Sequence, residues 1–189
     1  TGTPGFAPGK KGQAYAGASD GYLTFGLSDL PEALGTDFSV GFWYKVNASP
    51  DRAGIIVIGP EDNSRIHGFR LFRENAGGKQ RIKANVGNGT AEGWVDNENG
   101  KADLDPADNA WHYITLTLTK GKATLYVDGE EAATNNLTEI SWESCDIMSI
   151  GSGAPRFTEW NHLSDESLID ELRLFNKALT PAEIQDVMK

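Results

Sequence analysis

In SLIDELRLFNKALTPAEI, residues 167–184, Asp170 and Glu171 stand side by side within a run of leucine, isoleucine and phenylalanine. Such a pair can be a catalytic acid and base, a metal site, or one structural and one surface residue. Strand alternation puts Asp170 with Leu168, Leu172 and Leu174, and Glu171 with Ile169, Arg173 and Phe175. Carboxylates on opposite faces cannot converge on one bond, which excludes a catalytic pair. Glu171 is expected to pair with Arg173, for at most about 1 kcal/mol. Asp170, set among leucines, needs backbone amides or a cation, because an unpaired buried charge is costly. The amide-bound and calcium-ligand readings both stay open. For calcium, which favours carboxylate and carbonyl oxygens, the expected partner is Asp20 in GASDGYL, although Asp-Gly is also an ordinary turn dipeptide.

Other reactive constellations are sparse. The three histidines, His67, His112 and His162, lack ligand-like spacing, and no Gly-x-Ser-x-Gly elbow or phosphate loop is present. Cys145 is the only cysteine, so neither an internal disulfide nor a multi-thiolate metal site can form. The net charge of −10 argues against nucleic acid and anionic membrane surfaces. Within that acidic chain, however, Arg65, Arg70, Arg73, Lys79, Arg81 and Lys83 crowd into nineteen positions opposed only by Glu74.

The elements that must position these groups are strands. DFSVGFWYKV alternates with period two, and HGFRLFRENAGGKQRIKANVG reads as a hairpin around Asn-Ala-Gly-Gly. WHYITLTLTKGKATLYVDGEEA supplies two more strands and a turn at Asp128-Gly129, while DIMSIG and SLIDELRLF supply the last two. One helix is specified, at the C-terminus: Thr180 caps it, Pro181 takes its first position and Glu183 completes a capping box. Leu179 and Ile184 are spaced as a hydrophobic staple. Many short strands and one short C-terminal helix mean an all-β, antiparallel β-sandwich or jelly roll. The 189 residues suit a single domain, 1–189, and the longest aliphatic run, Ile55–Ile58, is far too short to insert in a membrane.

If Phe69 and Leu71 point into the core of that sandwich, Arg70 points out, and on the next strand Arg81, Lys83 and Asn85 do likewise. The basic groups and Asn85 then gather on one exposed face, close in sequence to Trp94. Trp94, Trp142 and Trp160 fall in loop-like contexts. Sugars are held by aromatic rings against their C–H faces and by amide, guanidinium and carboxylate groups on their hydroxyls. Arginine forks favour a carboxylated or sulfated glycan. The expected binding residues are Arg70, Lys83, Asn85, Trp94 and Trp160, the last on a facing loop.

TDFSVGFWYKVNAS, WHYITLTLTKGKATLYVDGEEAA and SLIDELRLFNKALTPAEI resemble, in that order, three segments of laminin G-like domains of the bacterial type. Those domains belong to the concanavalin A-like lectin/glucanase superfamily, and the resemblance runs from about Gly12 to Met188. It implies two packed antiparallel sheets, ligands on the curved face or its rim, Trp43 and Trp111 as packing residues, and a structural calcium ion in some relatives. Glycosidases share the superfamily, and EISWE superficially resembles the Glu-x-Asp-x-Glu strand of family 16 glucanases. Ser141 stands where the central carboxylate would be, so a hydrolase using Glu139 and Glu143 is the least favoured reading. The reading reached is a non-catalytic, lectin-like module for a polysaccharide, a monomeric domain of a longer exported or cell-surface protein. A protein-binding adhesion module is the alternative.

Overall fold

The computed structural model describes residues 2–3, 5–137 and 139–189. Two seven-stranded sheets face each other, and every adjacent pair of strands is antiparallel. In spatial order the first holds β1 (Gly5–Pro8), β2 (Gln13–Ala16), β14 (Leu168–Phe175), β4 (Phe38–Lys45), β10 (His112–Thr119), β11 (Lys122–Val127) and β12 (Glu130–Asn135). The second holds β3 (Leu23–Gly26), β13 (Cys145–Ile150), β5 (Arg52–Pro60), β6 (Phe69–Ala76), β7 (Lys79–Gly87) and β8 (Glu92–Val95). The short β9 (Asp103–Leu104) pairs with β7.

Local chemistry accounts for much of this. The β6–β7 turn falls at Gly77 and Gly78, both with positive φ, and the β11–β12 turn at Asp128 and Gly129, with φ of 53° and 81°. Two consecutive left-handed residues match the twist of a two-residue hairpin, which is why Asp-Gly serves there. Phe38, Val40, Phe42 and Tyr44 of β4 meet Phe69, Leu71, Ile82, Ala84 and Val86 of β6 and β7 in the core between the sheets. Helix α1 (Leu30–Leu34) is a second, five-residue helix beside the one anticipated. It is too short for a helical period to show in the sequence. Helix α2 (Pro181–Val187) carries the expected capping box at Thr180 and Glu183. It covers the outer face of the first sheet, where Leu179 and Ile184 pack with Trp43, Tyr113 and Tyr126.

The closing strand departs from simple alternation. Pairing with β4 runs Ile169 to Tyr44 and Asp170 to Trp43, then skips to Arg173 opposite Gly41. Glu171 sits at the extra residue with φ 51°, so the side chains beyond it change face. Leu172 and Leu174 therefore join Ile169 against the core, while Asp170 shares the outer face with Trp43 and Phe175. Asp170 does not lie among leucines as alternation required. It is buried nonetheless, under the β1–β2 turn, where its Oδ2 accepts from the Lys11 amide at 2.8 Å and its Oδ1 from the Glu171 amide at 2.8 Å. Lys10 of the same turn places its ammonium 4.2 Å from the centre of the Trp43 ring.

Between the sheets lies a polar network that strand patterning did not foresee. Arg73, opposite Ile82 and therefore facing inward, is fully buried. Its Nη2 lies 2.8 Å from Asp165 Oδ1, and it also donates to Tyr44 Oη and to the carbonyls of Ser49 and Pro50. Burial opposes the charge of Arg73, but Tyr44 and Asp165 beside it outweigh this and raise its pKa. Tyr44, whose hydroxyl donates to Asp165 at 2.6 Å, is held well above its ordinary value, first by burial.

Candidate functional site

The outer face of the second sheet collects the groups of interest. Cross-strand neighbours share a face, so Arg70, Asn85 and Trp94 form one row across β6, β7 and β8, with Phe72 and Lys83 in the next row. Alternation thus brings Arg70, Lys83, Asn85 and Trp94 to one side. The face is not open, however. The segment between β13 and β14 folds back over it, held by bonds from Gly54 N to Leu163 O and from Asp165 N to Gly151 O. Phe157 packs there on Val57 and Phe72. Arg70 and Asn85 are consequently fully buried, and the expectation that they are displayed to solvent is corrected. The covering segment starts more than sixty residues after β7 in sequence, so no local pattern reveals it.

The cationic groups Arg65, Arg70, Arg81 and Lys83 each have a partner, whereas Lys79 at the hairpin end is exposed. Arg70 donates to the carbonyls of His67 and Ser64, both at 2.6 Å, and burial lowers its pKa to about 10. Arg81 pairs with Asp103 at 2.6 Å. Lys83 bridges Glu74 at 3.1 Å and Asp96 at 2.8 Å. Glu74 also faces His162 Nε2 at 2.9 Å, and its carboxyl is pushed down to about 2, first by that hydrogen bond. Arg65 pairs with Glu92 at 2.7 Å and with Glu159. Apart from the carbonyl-bound Arg70 and the exposed Lys79, the cations of this face that looked like an anion-binding cluster in the sequence are neutralised, by Glu74 of the same hairpin and by Glu92, Asp96, Asp103 and Glu159 of later segments.

The remaining exposed feature is aromatic. Trp160, 48% exposed, stacks on Trp94 with ring centres 5.7 Å apart and planes at 29°. It meets Phe157 edge-on at 6.4 Å. Beneath it, His162 stacks on Phe157 at 4.8 Å and touches Phe72 at 4.6 Å, while Phe72 meets Trp94 at 6.0 Å. Trp160 and Asn161 both adopt left-handed backbone, with φ of 58° and 61°. Such strain persists only where the surroundings over-determine it; here the Trp160 carbonyl accepts from Arg52 at 3.2 Å and the ring is wedged on Trp94. The Arg65 guanidinium lies 4.7 Å from the centre of the Trp160 ring. The arrangement is a rigid, partly exposed tryptophan platform rimmed by fixed polar groups. Sequence reasoning found Trp94 and Trp160 from their types alone. It missed Arg65, Glu92, Glu159 and His162, whose contacts span tens of residues and leave no local signal.

The other expected sites fare differently. Trp142 packs against Phe38 at 5.3 Å and donates from Nε1 to Gly35 O at 2.7 Å, as a core residue. Residues 139–142 are not a strand, and Glu139 and Glu143 are exposed carboxylates flanking that half-buried indole. Asp20 is exposed in the turn after β2, whereas Asp170 stands opposite the other end of that strand and spends both oxygens on amides. The two carboxylates therefore do not fit one calcium ion. Among the described residues no group of three or more histidine, cysteine or acidic side chains could hold a metal.

A laminin G-like domain model of the concanavalin A-like lectin/glucanases superfamily matches residues 17–185. No curated protein matches the sequence. Among solved structures, domain 4 of AbnA, a GH43 extracellular arabinanase from Geobacillus stearothermophilus solved with arabinotriose, is 18% identical with a TM-score of 0.66, covering 100% of this chain and 82% of that one. A heptameric SAP-like pentraxin from Limulus polyphemus is 11% identical, with a TM-score of 0.61 and coverage of 98% and 81%. The binding domain of botulinum neurotoxin DC, solved with SialylT, is 14% identical with a TM-score of 0.66; the chain covers 44% of its length. At these identities the likeness is one of fold.

Proposed function

The chain belongs to the concanavalin A-like lectin/glucanases superfamily as a laminin G-like domain, and from that premise we propose that it is a non-catalytic glycan-binding module whose ligand stacks on Trp160. The observation that carries this reading is the Trp94–Trp160 stack, an aromatic surface held half open by strained backbone. A soluble domain gains nothing in stability from exposing such a ring, whereas a sugar's C–H face gains from lying on it. That the arabinanase domain was solved with arabinotriose and the botulinum domain with SialylT is consistent with this use of the fold.

The ligand proposed is neutral. Arg65, Arg70, Arg81 and Lys83 are already paired or carbonyl-bound, so an anionic glycan would have to break ion pairs to be recognised. The net charge of −10 repels polyanions as well. The bonding groups left to a hydroxylated ligand are those at the platform rim, Arg65, Glu92 and Glu159, acting as fixed donors and acceptors. The module is proposed to serve within an exported or cell-surface polypeptide, where such polysaccharides are met.

The test is retardation in gels containing neutral polysaccharides, arabinan among them, and acidic ones, with Trp160→Ala beside the wild type. Retardation by a neutral polymer, weakened about tenfold or more in Trp160→Ala, is expected. Equal migration of the two proteins in every gel would refute the assignment and leave the adhesion role as the better reading.

A further inference from the structure

We propose a second saccharide subsite on the far side of β8, holding another unit of the same glycan chain that stacks on Trp160; it rests on the reading above. At the side of the sandwich where the edge strands β8 and β12 approach each other, a cavity of about 250 Å³ is lined by Asn88, Asn135 and Asn136, by Glu92, and by the apolar Val86 and Leu137. That volume lies below the usual range for drug-sized ligands and suits a single ring. Its lining has the composition a sugar unit needs. Carboxamides donate and accept, as hydroxyls do, and the partly exposed Leu137 offers an aliphatic surface for C–H groups.

The cavity is built rather than incidental. Asn135 is fixed by donation from its Nδ2 to the Trp94 carbonyl at 2.7 Å. Asn88 is fixed through its Oδ1, which accepts from the amides of Thr90 and Ala91 at 2.9 and 2.7 Å. Glu92 has its charge met by Arg65 and by Asn85, whose Nδ2 lies 2.8 Å from Oε2, so the lining presents no bare anion to repel a neutral ligand. Gly93 leaves the place that Leu137 fills: a Cβ there would fall 1.8 Å from Leu137 Cδ2.

Two links join the cavity to the tryptophan platform. Asn135 holds the backbone of Trp94, and Glu92 holds Arg65, whose guanidinium lies over Trp160. A chain lying across β8 would meet stacking on one side and amides on the other. The consequence is selection for chain length, with an affinity step once the oligosaccharide reaches both places.

The test is calorimetric titration with arabino-, cello- and laminari-oligosaccharides of graded length. For the series that binds, affinity should rise about tenfold at one length, the worth of one or two added hydrogen bonds. Asn136→Ala, at an exposed position, should abolish that step and leave the shortest bound member unaffected, and Asn135→Ala, which also frees the Trp94 carbonyl, should abolish the step as well. Trp160→Ala should weaken every length. If both asparagine variants follow the wild type at all lengths while Trp160→Ala still binds weakly, the subsite is overturned and the platform stands. If Trp160→Ala matches the wild type, or no series binds, both are overturned.

Discussion

Replacing Asp165 by asparagine isolates the one fully buried ion pair described in the molecule. Its carboxylate accepts from Arg73 Nε at 3.1 Å, Arg73 Nη2 at 2.8 Å, Tyr44 Oη at 2.6 Å, Ser167 N at 3.1 Å and Ser167 Oγ at 2.7 Å. Both partners are essentially inaccessible to solvent, at 0% and 1% side-chain exposure. Asparagine keeps the shape but removes the charge, leaving a buried guanidinium with only neutral acceptors. Losing one partner of such a pair costs about 3–5 kcal/mol. For a domain of this size each kcal/mol moves Tm by about 2–4 °C, so a fall of roughly 6–20 °C is expected. Urea denaturation gives the free energy directly, with the m-value confirming that the same surface is exposed. The double replacement Arg73→Met with Asp165→Leu should recover part of the loss, because the desolvation of both charges disappears with them. Recovery stays partial because the Ser49 and Pro50 carbonyls lose their donor. A loss below about 1 kcal/mol in Asp165→Asn at unchanged m-value would refute the argument that this pair resists separation.

Two further outcomes follow from the paired carboxylates. Glu74 has a folded pKa of about 2 against an ordinary 4.5, so its contribution is complete above the higher value and is lost as pH falls towards the lower one. Glu74→Gln should therefore be less stable than the wild type at pH 5, by at most about 1 kcal/mol after solvent screening, and the two should converge near pH 2 in acid-titrated urea melts. Asp170→Ala should cost about 2–4 kcal/mol through the stranded Lys11 and Glu171 amides, while a chelator leaves the Tm of the wild type in place; a chelator-induced fall would show that a cation holds Asp170.

Much of the architecture was legible in the chain. Period-two patterning gave β4, the Asn-Ala-Gly-Gly and Asp-Gly turns gave two hairpins, and the capping box gave α2, because each rests on sterics and hydrogen bonds between near neighbours. The resemblance to laminin G-like domains rested on the same segments. The platform was half legible: Trp94 and Trp160 stood out by type, but their stacking joins residues far apart in sequence. The assignment of faces in the closing strand failed at one residue, Glu171, where a left-handed backbone inserts a bulge that no apolar period announces.

By itself, then, the order of residues determined the long strands and which side of a sheet Arg70, Lys83 and Asn85 occupy, since alternation is a property of the extended backbone, while Trp94, read as a loop residue, lies on the same side in the short edge strand β8. Only the tertiary structure decided whether that side meets water. The segment carrying Phe157, Trp160 and His162 closes over it, buries Arg70 and Asn85 and brings Glu159 to Arg65, while β8 and the residue after it supply Glu92 and Asp96 to Arg65 and Lys83. Burial and charge pairing depend on distances between segments remote along the chain, and those distances exist only once the two sheets have packed.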